Sequence, residues 1–288
     1  MMKPSAAYVD KLVRAALDED APWGDLSAQT FLPSSARVRA QLVAREDGVL
    51  AGEDLFTASM RLTGDITVRF ELHDGQRFSR GTLLATAEGP ARDVLTGERV
   101  GLNFIQRLSG IATLTASYVA AAAGSATRIT DTRKTTPGLR QLERYAVRCG
   151  GGHNHRFSLS DAVMLKDNHL AVLTQNGARA LPESLREAAQ SLPHTTHIEV
   201  EVDRLDQIPS VLSSGVVNTL MLDNFSLDAM HEGVALVRKL APGVLIEASG
   251  GITLERIAAI AATGVDLISV GALTHSVRAL DLGLDIQS

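Results

Sequence analysis

Within about forty residues, Asp131-Thr132-Arg133-Lys134-Thr135-Thr136-Pro137-Gly138 is followed by Gly150-Gly151-Gly152-His153-Asn154-His155-Arg156 and then by Lys166-Asp167-Asn168-His169. Cations, hydroxyls and glycines at that density suit a polyanion. Arg133 and Arg156 can each meet a planar carboxylate through two parallel hydrogen bonds, whereas Lys134 and Lys166 carry compact charges better matched to phosphate oxygens. The chain has 23 Arg and only 5 Lys, so two lysines in this one cluster mark a place where a small rotatable ammonium is wanted. The expected chemistry is joint recognition of carboxylate and phosphate. His153 and His155 without a third ligand nearby make a poor zinc site, which leaves dicarboxylate binding as the expected use.

The elements that must position these groups follow from periodicity. Residues 7–18 carry apolar side chains at helical spacing and predict an opening helix. From Ala36 to Glu88 alternating segments separated by Asp47-Gly48, Gly64-Asp65 and Asp74-Gly75 predict a half-buried sheet with tight turns. Residues 92–123 read as a helix broken near Ser109-Gly110. Beyond Thr127, strands are expected at 127–131, 162–166, 197–202, 219–223, 245–249 and 267–271. Helices fall between them, including 139–149, 226–240 and 253–263, and that alternation implies parallel strands covered by helices. Each strand has its chemical residue at the carboxyl end: Arg133 and Lys134, then Lys166, Glu201, Asp223, Ser249 and Gly271. A barrel or wound sheet collects such ends at one mouth. In Ile198-Glu199-Val200-Glu201-Val202 the period of two turns both glutamates inward, and the same rule turns in Glu247. Glu199 and Glu247 then lie one layer below the mouth, where buried carboxylates need partners from the basic cluster.

Composition sets the outer bounds. A chain of 288 residues can bury a sizeable core and fits two unequal domains. A net charge of −5 gives no general basic field for nucleic acid. The single cysteine, Cys149, excludes a disulfide framework and suits a reducing cytoplasm; its expected place is a buried apolar one on the 139–149 helix. Neither a signal-peptide pattern nor an apolar run of membrane-spanning length is present, so a soluble cytoplasmic protein is expected.

The strings DTRKTTPG, GGGHNHR, KDNH, IEVEV, MLDN, EASGGI and SVGALTHS, in this order, resemble those of the quinolinate phosphoribosyltransferases, over nearly the whole chain. The resemblance implies an α/β protein: an amino-terminal α/β sandwich over residues 1–110, joined by a returning segment at 277–288, and an irregular, incomplete α/β barrel of parallel strands over 111–276. Pattern alone leaves an eightfold barrel or an open sheet equally available. The implied activity joins quinolinate to phosphoribosyl pyrophosphate, giving nicotinate mononucleotide, pyrophosphate and carbon dioxide in NAD biosynthesis. The resemblance assigns quinolinate to Arg133, His155, Arg156 and Lys166, with Arg99 reaching in from a neighbouring subunit of at least a dimer with shared active sites. Arg99 also has a clue of its own, since it falls on the apolar stripe between Leu95 and Leu102. Phosphoribosyl pyrophosphate falls to Lys134, Glu201, Asp223, Ser249, Gly250, Gly251, Val270, Gly271 and Ala272, the glycine turns offering amides to phosphate. Lys134, Lys166, Glu201 and Asp223 form the catalytic set. Magnesium comes mainly through the substrate, with Glu201 and Asp223 as its protein ligands.

Two other readings compete. A nicotinate-using transferase, or the related homologue linked to molybdenum uptake, would share most of the pattern, and the intact HNHR and KDNH strings favour the quinolinate enzyme. The turns from Asp74-Gly75 to Gly81 resemble biotinyl or lipoyl carriers, but those need a hairpin lysine and none lies between Lys11 and Lys134. Arg140, Arg144 and Arg148 form an i, i+4, i+8 stripe, expected to be a solvated or subunit-facing side.

Overall fold

A computed structural model describes residues 3–175 and 181–287. The chain runs through α1 (Ala6–Asp20), α2 (Leu26–Phe31), β1 (Arg37–Ala44), β2 (Gly48–Val49), α3 (Glu53–Thr63), β3 (Thr67–Phe70), β4 (Arg77–Phe78), β5 (Leu83–Pro90) and the long α4 (Ala91–Ala121). Next come β6 (Arg128–Thr130), α5 (Arg140–Cys149), β7 (Val163–Leu165), α6 (Asp167–Gln175), α7 (Leu181–Gln190), β8 (Ile198–Val202) and α8 (Gln207–Leu212). The remainder is β9 (Thr219–Asp223), α9 (Leu227–Leu240), β10 (Leu245–Ser249), α10 (Ile257–Ala262), β11 (Leu267–Ser269), α11 (Ala272–His275) and β12 (Leu282–Ile286).

Two compact units result. The first holds Met1–Ala116, Thr135–Gly152 and Ala272–Ser288. Its antiparallel sheet has the order β12-β1-β5-β3. Alternation in β1 buries Ala40, Leu42 and Ala44 and exposes Arg37 and Arg39. The buried face meets Phe56 and Met60 of α3 and Val94, Leu102 and Ile105 of α4, which together with Leu280 and Leu282 form one core. The last strand is tied in at its edge by Arg45, whose Nη2 meets Asp285 Oδ1 at 2.5 Å.

Two sequence expectations are corrected here. The 36–88 stretch is not all sheet: α3 interrupts it, because Leu55, Phe56, Ser59 and Met60 repeat at helical spacing and Gly52, at φ 115°, supplies the turn into the helix. The helix expected to break near Ser109-Gly110 is continuous. Ser109 Oγ instead bonds the backbone N–H and carbonyl of Ala51 at 3.1 and 3.2 Å, and a Cβ at position 110 would lie 2.2 Å from the Arg278 carbonyl. Glycine is needed there for close approach rather than for a break. Arg99 is exposed in the single chain on α4, whose buried side is carried by Val94, Val100, Leu102 and Ile105.

The second unit holds Ser117–Lys134 and His153–Gly271. Its six strands are all parallel in the order β6-β11-β10-β9-β8-β7, each within two residues of its expected limits. Between the two edges lies the segment His153–Arg156. His153 pairs in parallel with Thr130 beside β6, and Arg156 Nη1 donates to the carbonyl of Ala162, the residue before β7, at 2.9 Å. The architecture is an α/β fold with a sandwich-like first unit and an incomplete parallel α/β barrel. Among the described residues no helix is long and apolar enough to cross a membrane.

Candidate active site

The carboxyl ends of the parallel strands surround a cavity of about 530 Å³, a volume in the range of small-molecule sites. Arg133, Lys134, His155, Arg156, Lys166, Asp223, Ser249, Gly250 and Gly251 all line it. Register explains part of this, since Asp223 and Ser249 are paired last residues of neighbouring strands. Glu201 comes in one step away, its Oε2 2.5 Å from Lys166 Nζ. Val270 and Gly271 follow β11 directly, and Val270 uses its own N–H on the Thr130 carbonyl at 2.9 Å. Arg99 and Ala272 belong to the first unit.

Charge is arranged for an anion. Burial, and then the field of Arg133, push the pKa of the Arg156 guanidinium down, so two like charges are held close together in a partly dry place. A dianion relieves that repulsion. On the opposite wall Gly250 and Gly251 take φ values of 85° and 56°, and a Cβ on Gly250 would lie 2.2 Å from Asn224 Oδ1. Only glycine lets that turn press against β9.

Several contributors carried no assigned role at the level of sequence. Asp131 is fully buried and accepts from Asn154 Nδ2 at 2.6 Å and from the His155 N–H at 2.7 Å, which pins the segment that carries Arg156. Its signal was visible, as the first residue of the DTRK string, but an internal anchor cannot be told from a surface acid by composition. Met164 and Met221 give the cavity apolar walls, and Ser269 lines it with an Oγ that has no hydrogen-bond partner among the described residues.

Below the cavity floor lies a layer of acid. His155 Nε2 is 3.1 Å from Glu199 Oε2 and 3.5 Å from Glu247 Oε1, and both glutamates are buried, as their inward register requires. The basic residue that meets them is His155. Burial raises the pKa of Glu199, His155 opposes that shift, and Glu247 adds to it. His155 Nδ1 accepts the Arg156 N–H at 2.7 Å. The ring therefore carries its proton on Nε2, aimed at the carboxylates. The three ligand atoms lie within 4.8 Å of one another, close enough to share a divalent ion.

Comparison with known proteins places the whole chain. A family model described as the N-terminal domain of quinolinate phosphoribosyl transferase matches residues 25–109, and one described as the C-terminal domain matches residues 111–285. The nicotinate-nucleotide pyrophosphorylase [carboxylating] of Mycobacterium leprae is 43% identical over 280 residues, covering 95% of each chain. The probable enzyme of that name from Bacillus subtilis is 42% identical over 279 residues, covering 96% of this chain and 92% of its own. Among solved structures, NadC from Streptococcus pyogenes superposes with a TM-score of 0.92 at 38% identity, covering 100% of both chains. With both halves matched in order, this chain belongs to the quinolinate phosphoribosyl transferase family.

Proposed function

We propose that the strand-end cavity is where this chain transfers a phosphoribosyl group from phosphoribosyl pyrophosphate to quinolinate, releasing pyrophosphate and carbon dioxide and leaving nicotinate mononucleotide. The observation that carries the reading is the crowding of Arg133 and Arg156 at one end of a cavity whose other end is a glycine turn beside Asp223. A dicarboxylate suits the first end and a phosphorylated sugar the second.

In this reading Arg133, Arg156 and Lys166 hold the two carboxylates against the methionine walls and present the pyridine nitrogen to the anomeric carbon. His155 has both ring nitrogens engaged and shapes the floor beneath them. Asp223 and Glu201 meet the ribose hydroxyls and stabilise the positive charge that grows on the sugar as its bond to pyrophosphate lengthens. Ser249, Gly250, Gly251 and the Val270-Gly271 turn surround the 5′-phosphate, and Lys134 takes up charge on the leaving pyrophosphate. Magnesium fits this donor set: Asp223 and Glu201 offer hard oxygen ligands at the mouth, and the ion, when bound, neutralises the departing pyrophosphate. Once the ring nitrogen is quaternised, the bond to the adjacent carboxylate breaks and carbon dioxide leaves. The electron pair left on the ring carbon, stabilised by the neighbouring cationic nitrogen, takes up a proton from solvent to give nicotinate mononucleotide. No covalent enzyme intermediate is required.

Arg99, exposed on its own chain, serves a neighbouring subunit's cavity in an oligomer of at least two copies, and the protein works in the cytoplasm. The domain division relevant to function is 1–110 with 277–288 against 111–276. Incubation with ring-carboxylate-labelled quinolinate, phosphoribosyl pyrophosphate and magnesium is the test. Release of labelled carbon dioxide together with nicotinate mononucleotide is expected; turnover of nicotinate without carbon dioxide would overturn the reading.

A further inference from the structure

β9 ends on Asp223, and the chain has to turn away there without losing its pairing with β10. Asn224 makes that turn. Its φ of 58° is the only positive one at a non-glycine position among the described residues, and asparagine is one of the few side chains that enters the left-handed region at small cost. The Asn224 N–H donates to the Ser249 carbonyl at 3.0 Å, which carries the pairing of Asp223 with Ser249 one residue further.

The side chain then lies between two groups that the reading above gives to the sugar phosphate. Asn224 Nδ2 donates to Asp223 Oδ2 at 2.7 Å. Among the described residues the Asp223 side chain has no other hydrogen bond and no ion pair, so one oxygen is held by the amide and Oδ1 is left for a ligand. On its other side Asn224 Oδ1 packs against Gly250, so closely that a Cβ there would lie 2.2 Å away. Asp223, Asn224 and Gly250 all line the strand-end cavity. A residue needed only to turn the chain could be glycine; the amide is what meets Asp223.

We propose that Asn224 is a positioning residue for phosphoribosyl pyrophosphate, acting through Asp223. This rests on the reading in which Asp223 and the Ser249-Gly250-Gly251 turn hold the ribose and the 5′-phosphate. The amide engages Oδ2 and so fixes the rotamer in which Oδ1 meets a ribose hydroxyl. The contact with Gly250 holds the phosphate turn at a set span from that oxygen. Without the amide the carboxylate samples other rotamers, and the sugar phosphate has to order it on binding. Quinolinate, held by Arg133, Arg156 and Lys166, does not depend on it.

Steady-state kinetics of the intact enzyme with magnesium, together with calorimetric titration by quinolinate alone, test this. Asn224→Gly keeps the left-handed turn without strain and removes the amide. It is expected to fold normally, to raise KM for phosphoribosyl pyrophosphate about tenfold or more, and to bind quinolinate within about twofold of wild type. Asn224→Asp also tolerates the turn but sets a second carboxylate against Asp223, and is expected to lose about 10²-fold in kcat/KM for phosphoribosyl pyrophosphate. An unchanged KM for phosphoribosyl pyrophosphate in Asn224→Gly would overturn the proposal. Equal losses for both substrates would overturn it too, because a merely loosened strand end would weaken both. A wild-type enzyme that makes no nicotinate mononucleotide would overturn the functional reading itself, an outcome distinct from an active wild type matched by Asn224→Gly.

Discussion

Arg156 donates its backbone N–H to Nδ1 of His155 at 2.7 Å. Because that lone pair is used, the ring keeps its one certain proton on Nε2 and spends it on Glu199. The imidazole is thereby a strut between the acid layer and the segment that bears Arg156, and under the proposed function the dicarboxylate is met by Arg133, Arg156 and Lys166. Expectations for those groups follow.

Arg133→Lys keeps the charge but loses the planar fork. The concentration of quinolinate needed for half saturation is expected to rise by an amount on the order of 1.5–3 kcal/mol, the scale of charge-assisted hydrogen bonds. Steady-state kinetics checks this, and unchanged saturation would remove Arg133 from the binding set.

Lys166 meets Glu201 at 2.5 Å while its side chain remains half exposed. Lys166→Ala is expected to lower turnover on the order of 10²-fold, as loss of one placed charge does. Stability should change by no more than about 1 kcal/mol, because solvent screens that pair. A near-normal rate with intact folding would contradict the assignment.

Tyr145 donates its hydroxyl to Asp74 Oδ2 at 2.7 Å in the first unit. Burial raises the Asp74 carboxyl above its ordinary value and the tyrosine bond works against that rise. A carboxyl raised by folding favours the protonated native state, so its penalty is present at high pH and is relieved as pH falls through the folded value. Tyr145→Phe is therefore expected to cost about 1–3 kcal/mol at pH 7 and clearly less at pH 5. Urea unfolding at the two pH values measures the difference; equal losses would refute the linkage.

Cys149 is buried, and burial followed by the charge of Asp74 pushes its thiol up to about 12. At pH 8 the thiolate fraction is then ~10⁻⁴, so the native protein should resist iodoacetamide and react rapidly once unfolded. Alkylation of the native protein at the rate of a free thiol would contradict this.

Much of the barrel could be read from the chain because parallel strands buried on both faces leave short apolar runs, and the inward turn of Glu199 and Glu247 follows from a period of two. Their partner could not be named, since His155 reaches them through tertiary folding and not through spacing. The sequence reading of α3 failed because its apolar positions sit among strand-like neighbours. Gly110 misled for a related reason: a glycine that admits another segment looks the same in sequence as one that ends a helix.

The His153–Arg156 segment spans the gap between β6 and β7, hydrogen-bonded toward one edge and reaching the other through the Arg156 side chain. Four residues thus act as a keystone. Any change that loosens them opens the ring of strands at the place where its recognition groups are mounted, so variation in ligand preference within this scaffold should enter through the glycine turns and strand-end loops, while this span tolerates almost none.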